Sequence, residues 1–293
     1  MKTRKGVILA GGLGSRLNPI SLAISKQLMP VYDKPMIFYP LSTLMLAGIK
    51  EFLIITNPHH LNSFQRLLGK GEQLGINITY ECQEKPDGIA QALLIAETFL
   101  RDSPLVLILG DNLFHGNELL PKLEIATKKE KGATVFAYPV SDPSRYGVID
   151  FDINGRALSI EEKPLNPKSR YAITGIYFYD NTAISKAKLL SPSDRGELEI
   201  SSVNEMYLNE SALDVQIMGR GMAWLDTGTF DSLQEAGEYI RALEKRQGLK
   251  VGSPEEVAWR KGWISDNELE KIAQKYIKSG YGEYLFELLK MRA

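Results

Sequence analysis

The chain has one cysteine, Cys82, so no disulfide can form within it, and no His/Cys grouping stands at a zinc-site spacing. A reducing, cytoplasmic setting is the default that follows. Net charge is nearly absent as well: 35 Lys plus Arg face 36 Asp plus Glu. That balance gives no global attraction to nucleic acid or to an anionic membrane, so any anion must be gripped by local groups. Long apolar runs are missing. The basic start, residues 1–5, is followed only by the apolar residues 7–10 before glycines interrupt, which is too short for a signal sequence. No run approaches the roughly 18 apolar residues of a membrane span. The three histidines, His59, His60 and His115, lie outside any chemical motif and read as surface or loop residues. There is no repeat, low-complexity segment or long flexible linker.

What is present is an alternation. Residues 6–10 (GVILA) form an aliphatic run ended by glycines, as a buried parallel strand does. Apolar residues at helical spacing over 36–47 stop at Gly48, before a second aliphatic run at 52–55. Helices around 61–68 and 89–100 and strands at 78–82 and 105–109 continue the pattern. The expected fold is α/β: a Rossmann-like open mixed, largely parallel sheet flanked by helices. From about residue 133 shorter strands with turn signals follow, at 147–151, 158–162, 171–179 and 215–218, with a helix near 199–208. These predict a small β-rich insertion. The C-terminal part reads as helical, with capping boxes at Ser253 to Glu256 and Ser265 to Glu268. The expected division is a catalytic domain over 1–240, with a nucleotide-binding part about 1–130 and a sugar-binding part about 131–228, then a helical region over 241–293.

The segment from Leu9 through Gly11, Gly12, Gly14, Ser15 and Arg16 follows the first strand, where glycine lets backbone N–H groups approach a phosphate. It lacks the third glycine of a dinucleotide fingerprint, and the second strand ends in Thr56-Asn57 rather than an acidic ribose ligand. It also lacks the Gly-Lys-Ser/Thr ending of a Walker loop. Arg16 and, farther on, Lys26 are cations able to neutralise phosphate oxygens. Taken alone, a flexible turn with two solvated cations explains the segment equally. Asp111 directly follows an apolar strand, at the carboxyl end where open α/β sheets bind ligands, though a turn aspartate reads the same way. Asp226 also ends an apolar stretch; together the two would suit Mg²⁺.

Several stretches then carry a resemblance. Residues 11–17, Pro19, residues 25–31 (SKQLMPV) and 33–36 (DKPM) resemble the opening of the sugar-nucleotide pyrophosphorylases. The likeness continues through 39–48, Pro86-Asp87-Gly88, 110–112, 145–147, 161–164, 196–200 and 224–228, and so covers nearly the whole chain. Within that nucleotidyltransferase family it is nearest to the enzymes that thymidylylate glucose 1-phosphate. Ser15 departs from the usual threonine, and Gln83-Glu84-Lys85-Pro86 from the usual Gln-Pro-Ser-Pro.

The resemblance implies transfer of dTMP from dTTP to glucose 1-phosphate with release of pyrophosphate, Mg²⁺ as cofactor and a cytoplasmic homotetramer serving bacterial dTDP-sugar pathways. No nucleic acid or membrane partner is expected. It assigns the chemistry to Arg16, Lys26, Lys163, Asp111 and Asp226, with the last two on the metal. The nucleotide falls to Leu9, Gly11, Gly12, Gly14, Ser15, Arg16, Gln27, Gln83, Pro86, Asp87 and Gly88. The sugar falls to Leu109, Asn112, Tyr146, Gly147, Glu162, Ile173 and Thr174, with Arg195 in support near the phosphates. Arg220, Glu256 and Arg260 match a second, regulatory nucleotide site, although salt-bridged surface residues would read the same way. Trp259 and Trp263, with Leu285, Leu288 and Leu289, read as helix packing or a subunit interface. The competing readings are a related enzyme using another nucleotide such as UTP, a sensor that kept the fold without turnover, and a metal-dependent glycosyltransferase.

Overall fold

The computed structural model describes residues 3–291. The first aliphatic run becomes β1 (Lys5–Ala10), and the glycine loop leads from it to a short hairpin, β2 (Pro30–Val31) and β3 (Lys34–Pro35). Then come α1 (Phe38–Leu46), β4 (Glu51–Thr56), α2 (Leu61–Leu68) and β5 (Asn77–Cys82). The helix expected over 89–100 is divided into α3 (Gln91–Ile95) and α4 (Glu97–Leu100), ahead of β6 (Leu105–Leu109). Strands β6, β1, β4 and β5 lie side by side and parallel. Their residues alternate between two cores, as the twofold period of a strand requires. Ile8, Ile54 and Ile108 enter one core, and Val7, Leu53 and Leu107 the other.

The second half of the chain adds β7 (Asn112–His115), α5 (Leu119–Lys128), β8 (Ala133–Pro139), β9 (Gly147–Phe151), β10 (Ala157–Glu162) and β11 (Tyr171–Tyr179). After these come α6 (Ala183–Ala187), α7 (Ile200–Asn209), β12 (Leu213–Ile217) and β13 (Ala223–Asp226). Most of the later strands extend the same sheet: β11 runs antiparallel to β6, β8 and β9. One edge of β11 is followed by β8 along most of its length. The other edge is shared, with Ile176 to Tyr179 on β6 and Tyr171 and Ala172 on β9. Residues 173–175 therefore have no strand partner on that second edge, and the sheet forks beside the carboxyl end of β6.

The chain closes with α8 (Phe230–Gln247), α9 (Pro254–Arg260), α10 (Asp266–Lys275) and α11 (Gly280–Lys290). Trp259, Leu285 and Leu288 are buried in the core that also holds α1, so they pack helices as the sequence suggests. Trp263 lies against this core under the Lys50 ammonium, 4.8 Å from the ring. The capping box at Ser265 and Glu268 is complete. The one at Ser253 is only half made. Ser253 Oγ accepts from Glu256 N–H, but the Glu256 carboxylate receives Arg260 Nε at 2.7 Å and the Tyr284 hydroxyl. A capping box also opens α8, between Thr229 and Ser232. Among the described residues, no helix is long and apolar enough to cross a membrane.

Candidate active site

Asp111 follows β6 immediately, and β7 starts at the next residue. Strand β13 pairs antiparallel with β7 and sets Asp226 opposite Asn112, so the two-stranded ribbon carries both aspartates to the fork in the sheet. Thr227 ties the turn down by donating its hydroxyl to the Asp111 carbonyl at 2.9 Å. The buried Lys26 ammonium reaches Asp111 Oδ2 at 2.5 Å, and Asn112 Nδ2 donates to Asp111 Oδ1 at 2.9 Å. Burial works against the charge on Asp111, but Lys26 and Asn112 overcome it and hold the carboxyl below its ordinary range. Asp226 has the opposite fate. Burial and then the Asp111 charge push its carboxyl up to about 6, with Lys26, Arg145 and Arg16 offsetting part of the rise.

A cavity of about 140 Å³ opens at the fork, with Asp111, Asp226, Leu109, Asn112, Tyr146, Gly147, Glu162, Lys163 and Ile173 in its lining. The structure thus gathers the expected sugar residues around the two aspartates, Thr174 excepted. Strand alternation turns Thr174 away from the cavity, and its fully buried Oγ1 has no hydrogen-bond partner among the described residues. Asn112 is already engaged: its Oδ1 accepts from Trp224 Nε1 at 2.5 Å and from Gly175 N–H at 3.1 Å. Its main work is to brace Asp111. Glu162 accepts from the Ser201 hydroxyl and lies 3.4 Å from Arg195 Nη2 and 3.7 Å from Lys163 Nζ. Lys163 adopts φ 43°, a left-handed conformation that costs a side-chain-bearing residue energy, while its N–H holds the Tyr146 carbonyl at 3.0 Å. Arg145 and Ser201 line the same cavity and were missed as site residues. Arg145 lay in view beside Tyr146 and Gly147; Ser201 reads as an ordinary helix serine.

On the nucleotide side, Gly12, Ser15 and Arg16 are exposed in the loop, with Gly14 half-buried between them, and Arg16 is near enough for its charge to be felt at Asp226 and Tyr146. Gly11 is required for a reason beyond phosphate approach: a Cβ there would collide with Gln83 Oε1. Gln83 is buried at the end of β5, and Leu9 lies in register with Leu109 on β6. Gln27 is buried and supports the loop, accepting from the Ser25 hydroxyl at 2.8 Å. Pro86 and Asp87 are exposed. Gly88 has φ 107°, and a Cβ there would meet the backbone of Leu198, with N only 2.5 Å away. Its open side therefore serves the close approach of Leu198, whose N–H bonds to Asp87 O at 2.7 Å and whose carbonyl accepts from Ala90 N–H at 3.1 Å.

Glu256 and Arg260 line a second cavity of about 540 Å³ between α1, β7 and α9; Arg220 is exposed and not in its lining. His115, expected as an ordinary surface residue, lines this cavity too, edge-on to Tyr239.

The sequence profile described as "Nucleotidyl transferase" matches residues 5–242. The chain belongs to the nucleotidyl transferase family. A glucose-1-phosphate thymidylyltransferase of Neisseria meningitidis is 55% identical over 286 residues, which are 98% of this chain and 99% of that protein. One of Mycobacterium tuberculosis is 55% identical over the same shares. Among solved structures, a Bacillus anthracis protein described as a glucose-1-phosphate thymidylyltransferase superposes with TM-score 0.76 at 43% identity, over 82% of this chain and 96% of that one. A UDP-glucose pyrophosphorylase superposes with TM-score 0.71 at 22% identity, over 84% of this chain and 100% of that one, and shares the fold.

In this nucleotidyl transferase the raised Asp226 carboxyl has a consequence for stability. The folded chain binds its proton more tightly than the unfolded chain does, whose aspartates titrate at about 3.9. Stability is therefore lost as pH rises from about 4 through about 6. Asp226→Asn removes that cost. Its melting temperature should exceed the parent's above pH 6, with the difference vanishing below pH 4; a variant that melts lower at pH 8 contradicts the repulsion.

Proposed function

We propose that this chain is a Mg²⁺-dependent glucose-1-phosphate thymidylyltransferase, transferring dTMP from dTTP to glucose 1-phosphate and releasing pyrophosphate. The observation that carries the reading is the juxtaposition of Asp111 and Asp226 with Lys26 on one side and the Glu162–Lys163 wall on the other. The reaction must bring two anions together. Two unit charges about 4 Å apart repel by about 1 kcal/mol in water and by several times more in a site of lower dielectric. Lys26, Lys163, Arg145 and Arg16 supply positive charge around the meeting point. No general base is needed, since a phosphate monoester with a second pKa of about 6 is mostly dianionic at neutral pH.

The residues fit a hard divalent cation. Burial and then the charge of Asp111 raise the Asp226 carboxyl, and positive charge between the two carboxylates would relieve both effects. Among the described residues no cluster of three or more His, Cys, Asp or Glu could cage a metal, which suits an ion that keeps waters and shares phosphate oxygens, as Mg²⁺ does. When bound, it supplies Lewis-acid neutralisation of the phosphates. The protein's own part is positional. Lys163 faces the sugar phosphate, Glu162 accepts from sugar hydroxyls, Gln83 meets the base, and Arg16 steadies the departing pyrophosphate. The homotetramer, cytoplasmic setting and supply of dTDP-sugar pathways belong to the same reading, supported by the likeness to the bacterial thymidylyltransferases.

The larger cavity supports a second, regulatory nucleotide site. Arg260, Lys250 and Lys261 bring positive charge to it, and the Ser42 hydroxyl in its lining is buried without a partner among the described residues.

Purified protein with Mg²⁺ and glucose 1-phosphate should release pyrophosphate with dTTP when each nucleoside triphosphate is supplied in turn. Release with none of them would sink the enzyme reading, and release with UTP but not dTTP would reject the thymidylyl assignment. For the second cavity, a dTDP-sugar should inhibit the parent at concentrations about tenfold lower than Arg260→Ala, as expected for loss of a charged phosphate contact; equal inhibition would remove Arg260 from regulation.

A further inference from the structure

In the nucleotide reading proposed above Gln83 meets the base, and a side-chain amide can present either a donor or an acceptor to it. Its neighbours decide which. Gln91, in the first turn of α3, bonds at both ends of its own amide. Gln91 Nε2 meets Asp87 Oδ2 at 3.2 Å, and a carboxylate oxygen only accepts. Gln91 Oε1 meets the Asp87 N–H at 3.2 Å, a hydrogen it shares with the Lys85 carbonyl, and a backbone N–H only donates. Both anchors fix the Gln91 amide the same way round. Gln91 Oε1 then lies 2.6 Å from Gln83, and the Gln83 atom it faces must be the donor, Nε2. The Gly88 carbonyl, 3.5 Å from the same Nε2, agrees.

With Nε2 committed, Gln83 Oε1 is turned to the Gly11 side, into the room left by the absent Cβ. No donor among the described residues reaches it.

We infer that Gln91, held by Asp87, is a positioning residue that sets the polarity of the base reader, so that Gln83 offers an acceptor and selects bases carrying an N–H at the facing ring position. Thymine and uracil meet that demand with the N3–H of their imide edge. Cytosine placed the same way turns its N3 lone pair against Oε1, and adenine its N1. The site thus rejects cytosine by charge pattern rather than by size, since cytosine and uracil are nearly isosteric. The inference rests on the nucleotide reading proposed above and adds the residue that gives it direction.

The test is the ratio of kcat/KM for dTTP over dCTP, read by pyrophosphate release at saturating glucose 1-phosphate and Mg²⁺. Gln91→Met keeps helix propensity and removes both amide ends, which frees Gln83 to rotate. The ratio should fall about tenfold or more, because a site that has lost a fixed hydrogen-bond polarity discriminates poorly. The ratio for dTTP over UTP should not move, since both carry the same imide edge. The pair Gln91→Glu with Asp87→Asn reverses the donor and acceptor between those two side chains while keeping an oxygen toward Gln83. It should restore the dTTP over dCTP ratio to within about threefold of the parent. A Gln91→Met variant in which dTTP and dCTP turnover fall in parallel, or a paired variant that does not restore the ratio, overturns the inference and leaves the thymidylyl reading standing. A parent that does not use dTTP removes both.

Discussion

Two carboxylates set close enough for the charge of one to be felt by the other, in a partly buried place, are the constraint around which this molecule is arranged. Asp111 stands between β6 and β7, Asp226 ends β13, the strand paired with β7, and their repulsion is left only partly relieved. Lys26 neutralises Asp111 directly, Asn112 orients it, and Trp224 and Gly175 hold Asn112 in turn. Asp226 has no such direct partner among the described residues, and its carboxyl is raised. That residual repulsion favours positive charge between the two carboxylates, which is why the proposed function places a divalent cation there.

The fork in the sheet gives the ribbon its place. Because β11 serves β6 with one part of its edge and β9 with another, residues 173–175 border an opening at the carboxyl end of β6. The cavity forms there, with strand residues such as Leu109, Asn112, Ile173 and Asp226 in its lining. Opposite it, the segment around Leu198 joins the two halves of the site. Its backbone bonds to the loop carrying Asp87 and Gly88, while Arg195 and Ser201 on either side reach Glu162. The loop carrying Asp87 and Gly88 and the wall carrying Glu162 are therefore positioned by one stretch of chain.

Much of this was legible in the sequence, and the failures have identifiable causes. Strands β9 and β11 and helix α2 fall on the expected residues because turn residues or clear periodicity bound them. Asp111 was placed correctly at a strand end because the apolar run before it is unbroken. The ribbon was not foreseen: β7 and β13 are four residues each, too short for a periodic signal, and their pairing is long-range. Only the family resemblance joined Asp226 to Asp111. The freedom of Gly11 is legible in the sequence, but what Gly11 and Gly88 accommodate, Gln83 and the Leu198 backbone, depends on tertiary contacts. Glu256 looked like a capping residue and is drawn away by Arg260 and Tyr284. Gln91 stands in no motif of the sequence, and its contact with Gln83 is set only by the fold.

The central claim is that Asp111 and Asp226 together hold the divalent cation. The most direct measurement is the affinity of the protein–dTTP complex for Mn²⁺, titrated calorimetrically or by EPR. The account predicts that Asp111→Asn and Asp226→Asn each weaken it by about tenfold or more, on the scale expected when a metal site loses a partner. In the parent, affinity should fall as pH drops below about 6, where Asp226 takes up a proton. Unchanged Mn²⁺ affinity in both variants would contradict the account.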